Sequence, residues 1–165
     1  MLDNRTESLI TFARDDDGAW KIRLMRPLKY EILTSEERLT AKADVDPAVE
    51  KALLEVLERN VTAMDNEDYE AALATIDLDS PRYSQIERMT DVQVSGYDID
   101  LEIEVANVLG ATDHEAYIYV VETGKNLSGL DYEDFRSRVV NALRKQEDGS
   151  WKFYMTYLIS SEPLE

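Results

Sequence analysis

Two rhythms of apolar and polar residues run along this chain, and the change from one to the other divides it. Two apolar runs, Ser8 to Phe12 and Trp20 to Met25, flank ARDDDGA and predict a β-hairpin. Its second strand is expected to end at Arg26-Pro27, because proline lacks the N–H that a ladder needs. Residues 29–45 are mostly polar, with one weak helical turn in SEERL, and predict a connection. At Asp46-Pro47 an N-cap is followed by proline at the first helical position. Behind it Val49, Leu53, Val56, Leu57 and Val61 recur at helical spacing, predicting a helix to Met64. Asn66 to Ile76 predicts a shorter helix with Tyr69, Leu73 and Ile76 on one stripe, and DLDSP is a turn cluster. Pro81 opens a third short helix, with Tyr83, Ile86 and Met89 expected inward.

From Val92 the period changes to two. Tyr97, Ile99, Leu101, Ile103 and Val105 share one face of a strand, and Asp98, Asp100, Glu102 and Glu104 the other, which reads as a half-buried strand with a solvated acidic side. Gly110 is expected in a turn, His114 to Glu122 in the next strand, and GKNLSG in a loop. Phe135 to Lys145 and Trp151 to Ile159 form a closing hairpin around QEDGS, with Trp151, Phe153, Met155 and Tyr157 alternating inward. Helices first and long strands afterwards predict an α+β fold with an antiparallel sheet covered on one face.

The closing hairpin has an echo at the start of the chain. EDGSWKFYMTYLI and DDDGAWKIRLM both run from an acidic turn with a glycine, through one small residue and Trp-Lys, into an apolar alternation. The match extends backwards, ESLITFARDDDG facing RVVNALRKQEDG. An isolated two-stranded hairpin is marginal in water, so Trp20, Ile22 and Leu24 are expected to bury against something. The favoured origin of residues 1–28 is the tail of a preceding similar domain; extra strands for this sheet, and coincidence of two Asp-Gly turns, are the alternatives.

Composition narrows the chemistry. The 165 residues suit one domain of ordinary size, and the formal charge of −17 makes nucleic acid and anionic membrane surfaces unsuitable partners. The absence of cysteine excludes disulfides, thiolate catalysis and Cys-based metal sites. With one histidine, a two- or three-histidine metal site is impossible in one chain, so no metal and no cofactor is expected. The N-terminal residues carry neither a basic n-region nor an apolar h-region, which favours a cytoplasmic location. No phosphate loop, GxSxG elbow or Rossmann fingerprint is present; GKNLSG offers a Gly-Lys pair and nothing else of a nucleotide loop.

The long first helix, the segment NEDYEAALATI and the closing pair RVVNALRKQEDGSWKFYMTYLI together resemble the nuclear transport factor 2-like (SnoaL-like, cystatin-like) superfamily. ATIDLDSPRYSQIERM is similar to uncharacterised bacterial members in which a short helix follows the second. The resemblance implies helices packed in the concavity of a strongly curved, mainly antiparallel sheet, as a cone, over residues 46–161. It is nearly silent on function, since the superfamily hosts isomerases, dehydratases, transport adaptors and domains without known activity.

The resemblance also implies a pocket inside the cone. Candidate lining residues are Tyr69, Tyr83, Tyr97, Tyr119, Phe135, Trp151, Phe153 and Tyr157, which either face a small-molecule ligand or fill a core. Arg136 and Arg138 share a strand face, where they hold an anionic ligand or pair with nearby acids. His114 sits beside a polar turn, an ordinary place for a solvated imidazole. Enzymatic members with a known dyad use an inward Asp with a Tyr or His; Asp77 or Asp79 with Tyr83 does not match that spacing clearly. The leading expectation is a domain that binds a small molecule or partner in the cone without catalysis. A small-molecule lyase, isomerase or hydrolase and a purely structural or interaction module are the alternatives, an inward carboxylate with a raised pKa marking the enzyme. A homodimer through the outer face of the sheet is expected.

Overall fold

A computed structural model describes residues 4–14, 18–32, 35–129 and 133–164. The chain divides into two compact units, Met1–Glu36 and Glu37–Glu165. The first is an antiparallel hairpin of β1 (Asn4–Arg14) and β2 (Trp20–Ile32), turned at Gly18, whose φ of 81° suits a residue without Cβ. Pro27 does not end β2. It sits opposite Ser8 at a register shift, where the missing N–H interrupts no regular rung. Phe12 and Ile22 are partners in the ladder and more than half exposed, so Ile22 is not buried as expected. The side chains of Trp20 and Leu24, and the turn acids Asp15 to Asp17, lie outside the described residues.

The SEERL turn forms α1 (Glu36–Thr40). In the second unit α2 (Pro47–Asp65) begins where the Asp46 carboxylate accepts the Ala48 N–H at 2.8 Å, with Pro47 in the first turn. Its stripe buries Leu53, Val56 and Leu57. The Asp68 side chain caps α3 (Tyr69–Ala74) by accepting the Ala71 N–H. The next segment reaches the far strand: Phe153 donates its N–H to Thr75 O, Asp77 donates to Phe153 O, and the Ser80 hydroxyl donates to Tyr154 O. Asp77 and Asp79 serve this turn, the Asp77 carboxylate accepting the Asp79 N–H.

Helix α4 (Tyr83–Gly96) runs further than its sequence suggests and takes in Val92, which reads as strand. Val92 is 52% exposed there; the helix is anchored by Tyr83 and Ile86, which pack on the core, and runs on through Val92 because strand propensity reflects context more than backbone. Met89, expected inward, is 59% exposed.

Strands β3 (Tyr97–Ala111), β4 (Glu115–Gly129), β5 (Phe135–Lys145) and β6 (Trp151–Pro163) pair antiparallel in chain order, giving the α+β architecture. Gly110 lies inside β3, opposite Tyr117 at a register shift, rather than in a turn. GKNLSG is the end of β4, laddered against Tyr97 to Leu101, rather than a loop. A further shift between Ile103 and Val105 turns Val105 to the face opposite Ile103, leaving it 39% exposed. Each shift bends its strand and curves the sheet.

One face of the sheet meets the helices. Ala116, Ile118 and Val120 of β4, Val139 and Leu143 of β5 and Trp151 and Phe153 of β6 pack with Leu53, Val56 and Leu57 of α2. Beyond this core, towards α4 and the start of β3, the same face lines a cavity.

Candidate functional site

The cavity holds about 620 Å³, within the ~300–1,000 Å³ usual for small-molecule pockets. Three layers build it. Helix α2 supplies Leu57, Asn60, Val61 and Met64; α4 supplies Ile86, Arg88, Met89 and Thr90; the inward face of the sheet supplies the floor. That floor follows from the register. Ile103, Glu122, Ser137 and Ser161 are successive partners across four strands, so their side chains share one face. One rung away stand Leu101, Gly124 and Phe135, and two rungs along β5 from Ser137 stands Asn141 opposite Thr156.

Gly124 has a local reason to be glycine. The Phe135 ring lies directly over it, filling the space a Cβ would take, and so becomes a cavity wall.

Glu122 is the informative residue. Among the described lining residues it is the only carboxylate, and Arg88, exposed on α4, is the only other charged group. It has no hydrogen-bond or ion-pair partner among the described residues, and burial pushes its carboxyl above the ordinary glutamate range. Asn141 is 6% exposed; its Oδ1 accepts from the Thr156 hydroxyl at 2.7 Å, which leaves the Nδ2 group without a described partner. A carboxyl whose charged form burial disfavours and a primary amide thus both face a largely apolar space. Of the other polar lining residues, Asn60 donates to Thr75 Oγ1 and Gln85 Nε2 donates to the Met89 sulfur.

Sequence reasoning missed Glu122 and Asn141, yet a signal for both exists. Ala116, Ile118 and Val120 alternate inward, and Glu122 is the next residue of that parity; Asn141 stands between Val139 and Leu143 in the same way. A polar residue that interrupts an inward apolar row is the mark to look for.

The expected aromatic set separates. Tyr97, Phe135 and Phe153 line this cavity. Trp151 belongs to the core and edges a second groove of about 890 Å³ beside α2 and α3. Tyr83 packs against the core from α4. Tyr69 lies near Tyr83, Glu87 and Asp91, and desolvation first, then those negative charges, raises its phenol pKa. Tyr119 is buried on the opposite face, between the inward Ile118 and Val120. Tyr157 is on that same opposite face, paired with Val140 and close enough to Tyr117 for the two phenols to interact.

Arg136 is held by acids. Its Nε and Nη2 donate to Glu104 as a fork, with Nη2 2.6 Å from Oε2, and Nη1 lies 3.7 Å from Glu162. Arg138 shares that strand face and, like Arg136, is not part of the cavity wall. His114 is exposed in the β3–β4 turn, its backbone N–H donating to Thr112 Oγ1. Among the described residues no group of three or more His, Cys, Asp or Glu is placed to hold a metal ion, and no helix is long and apolar enough to cross a membrane.

Solved structures share this architecture. A Nostoc punctiforme protein of unknown function with a cystatin-like fold superposes with a TM-score of 0.57 at 17% identity, covering 70% of this chain and 93% of that one. A putative scytalone dehydratase from Novosphingobium aromaticivorans gives 0.59 at 11% identity, covering 72% and 89%. A ketosteroid isomerase-like protein from Erwinia carotovora gives 0.50 at 20% identity, covering 67% and 95%. At such identities the likeness is one of fold alone, and the fold is the cystatin-like, helix-on-curved-sheet architecture expected from the sequence. No curated protein matches the sequence. The sequence model of one family, described as "Anti-sigma-I factor RsgI9, C-terminal domain", matches residues 55–164, from within α2 to just beyond β6. Since that span is more than half of the chain, the protein belongs to the family of the anti-sigma-I factor RsgI9 C-terminal domain.

Proposed function

We propose that this domain is the ligand-binding module of a regulator of the anti-sigma type, holding a small, uncharged and mostly apolar molecule in the cone without turning it over. The single observation that carries the reading is the cavity of about 620 Å³ in which Glu122 and Asn141 present polar groups with no described protein partner. Buried polar groups are nearly always satisfied, so a ligand or ordered water is the natural partner. Burial disfavours the charged form of the Glu122 carboxyl, and the same apolar walls disfavour a charged ligand, so a molecule that offers carbonyl, ether or hydroxyl groups to Glu122 and Asn141 fits best. The family's description speaks of an anti-sigma factor, and occupancy of a pocket is a signal that such a factor can use.

The test uses Nile red, a neutral apolar dye whose emission rises in a dry site. Saturable enhancement is expected with the full chain and its loss in Leu101→Trp, which fills the cavity from β3. No saturable binding, or equal binding to both proteins, contradicts the reading.

A second reading rests on the raised pKa of Glu122: acid–base catalysis of the SnoaL-like type on a small organic molecule. It requires turnover that Glu122→Gln abolishes while binding persists. A homodimer through the outer face of the sheet also belongs to the proposal. Light scattering at micromolar concentration checks it, a monomer counting against it.

A further inference from the structure

The two hairpins are the same object at the level of hydrogen bonds. A shift of 131 residues carries β1 (Asn4–Arg14) onto β5 (Phe135–Lys145) and β2 (Trp20–Ile32) onto β6 (Trp151–Pro163), end for end. Every rung moves with it. Arg14 pairs with Trp20 as Lys145 pairs with Trp151, and Asn4 with Ile32 as Phe135 with Pro163. Both irregularities coincide as well. Phe12 faces Ile22 and Thr11 faces Leu24, skipping a residue where Leu143 faces Phe153 and Ala142 faces Met155. Ser8 faces Pro27 and Glu7 faces Lys29, skipping again where Val139 faces Leu158 and Arg138 faces Ser160. Gly18 and Gly149 share a left-handed φ, 81° and 86°.

A shared Asp-Gly turn fixes the register only as far as the first bulge. Two bulges at matching positions do not follow from it, since a bulge is a specific departure kept within a family.

The surroundings of the two differ. Leu143 and Phe153 are 0% and 6% exposed, covered by the helices and by the core they share with β4. Their counterparts Phe12 and Ile22 are 54% and 55% exposed, and Ile10, the counterpart of Asn141, is 40% exposed on the same side of β1. At Ile10, Phe12 and Ile22 the hairpin therefore presents, exposed, side chains whose counterparts its twin turns to the inward face of the sheet.

We infer that β1–β2 is the closing hairpin of a second cone, and that its Ile10–Phe12–Ile22 face docks against the helix-and-strand body of another domain of this architecture. The body that residues 37–129 supply to β5–β6 defines what that partner must offer: an apolar helix laid across the sheet, and a β4-like edge for β1. The reach of the contact is large, because a closing hairpin contributes half the strands of such a sheet.

This chain's own body serves as the probe. In a graft, residues 4–32 replace residues 135–163, two segments of equal length and register. The grafted chain is expected to unfold cooperatively in urea and to keep slow amide exchange in β4, which depends on the strand beside it. A second graft restores the native inward residues at four places, the counterparts of Ser8, Ile10, Phe12 and Ile22 becoming Val, Asn, Leu and Phe. If neither graft folds, hairpin equivalence is wrong. If only the restored graft folds, the strands and turn are equivalent but the Ile10–Phe12–Ile22 face is not a docking face, and the inference falls.

Discussion

Gly124→Ala tests the construction of the cavity wall with one methyl group. A Cβ at Gly124 would lie 3.1 Å from Phe135 Cδ1 and closer still to Cε1 and Cζ, where ordinary carbon contacts need about 3.5–4.0 Å. The β4 backbone is fixed by ladders on both sides, so the ring must swing into the cavity. Overpacking of this kind costs about 1–3 kcal/mol, offset by the ~0.5–1 kcal/mol that alanine gains over glycine within a strand. A net loss of about 1–2 kcal/mol is expected from urea unfolding, read as a lower midpoint at unchanged slope. The decisive comparison repeats the substitution in a Phe135→Ala background. With the ring gone the methyl group has room, and Gly124→Ala should become neutral or stabilising, a coupling of at least ~1 kcal/mol. Equal costs in both backgrounds would refute the stacking of Phe135 on Gly124, and with it this account of the wall.

Trp151→Ala should cost roughly 3–5 kcal/mol by thermal or urea unfolding, because the ring is 4% exposed within the main core; a loss under 1 kcal/mol contradicts that placement. Glu122→Gln should change the pH dependence of stability in a set direction. Below the ordinary glutamate value of about 4.5 the folded and unfolded chains both hold the proton, and the carboxyl carries no ionisation penalty. As pH rises past that value the unfolded chain ionises first, so wild-type stability falls until the raised folded pKa is passed and then stays lowered. The glutamine variant should gain on wild type across that window, and a gap that does not change with pH contradicts it. Deletion of residues 1–28 should leave the later domain melting cooperatively, since the hairpin forms its own compact unit; loss of the transition would make it an integral part.

Legibility in the sequence followed the strength of local physics. The start of α2 was readable because an Asp-Pro cap and a five-residue apolar stripe point to one structure, and the β5–β6 hairpin because period two and an Asp-Gly turn agree. The end of α4 was not, since Val92 prefers a strand when taken alone and the helix anchored by Tyr83 and Ile86 runs on through it. GKNLSG looked like a loop because it lacks alternation, yet backbone ladders to β3 need no side-chain pattern. Tyr97, Phe135 and Phe153 were legible as wall residues, whereas Tyr119 and Tyr157 fell on the other face, which no aromatic count distinguishes. Glu122 was hidden as one of 35 acidic residues; only its parity with Ile118 and Val120 separates it from the solvated ones.

The central claim is that the inward face of the sheet takes up a small neutral molecule. Methyl NMR of the full chain, titrated with 4-acetylbiphenyl as a neutral, mostly apolar probe, tests it most directly. Saturable shifts are predicted for Ile99, Leu101 and Val139, which line the cavity, while Val121 and Val140 on the opposite face stay still. Shifts confined to Val121 and Val140, or no shift up to the probe's solubility limit, would contradict the account.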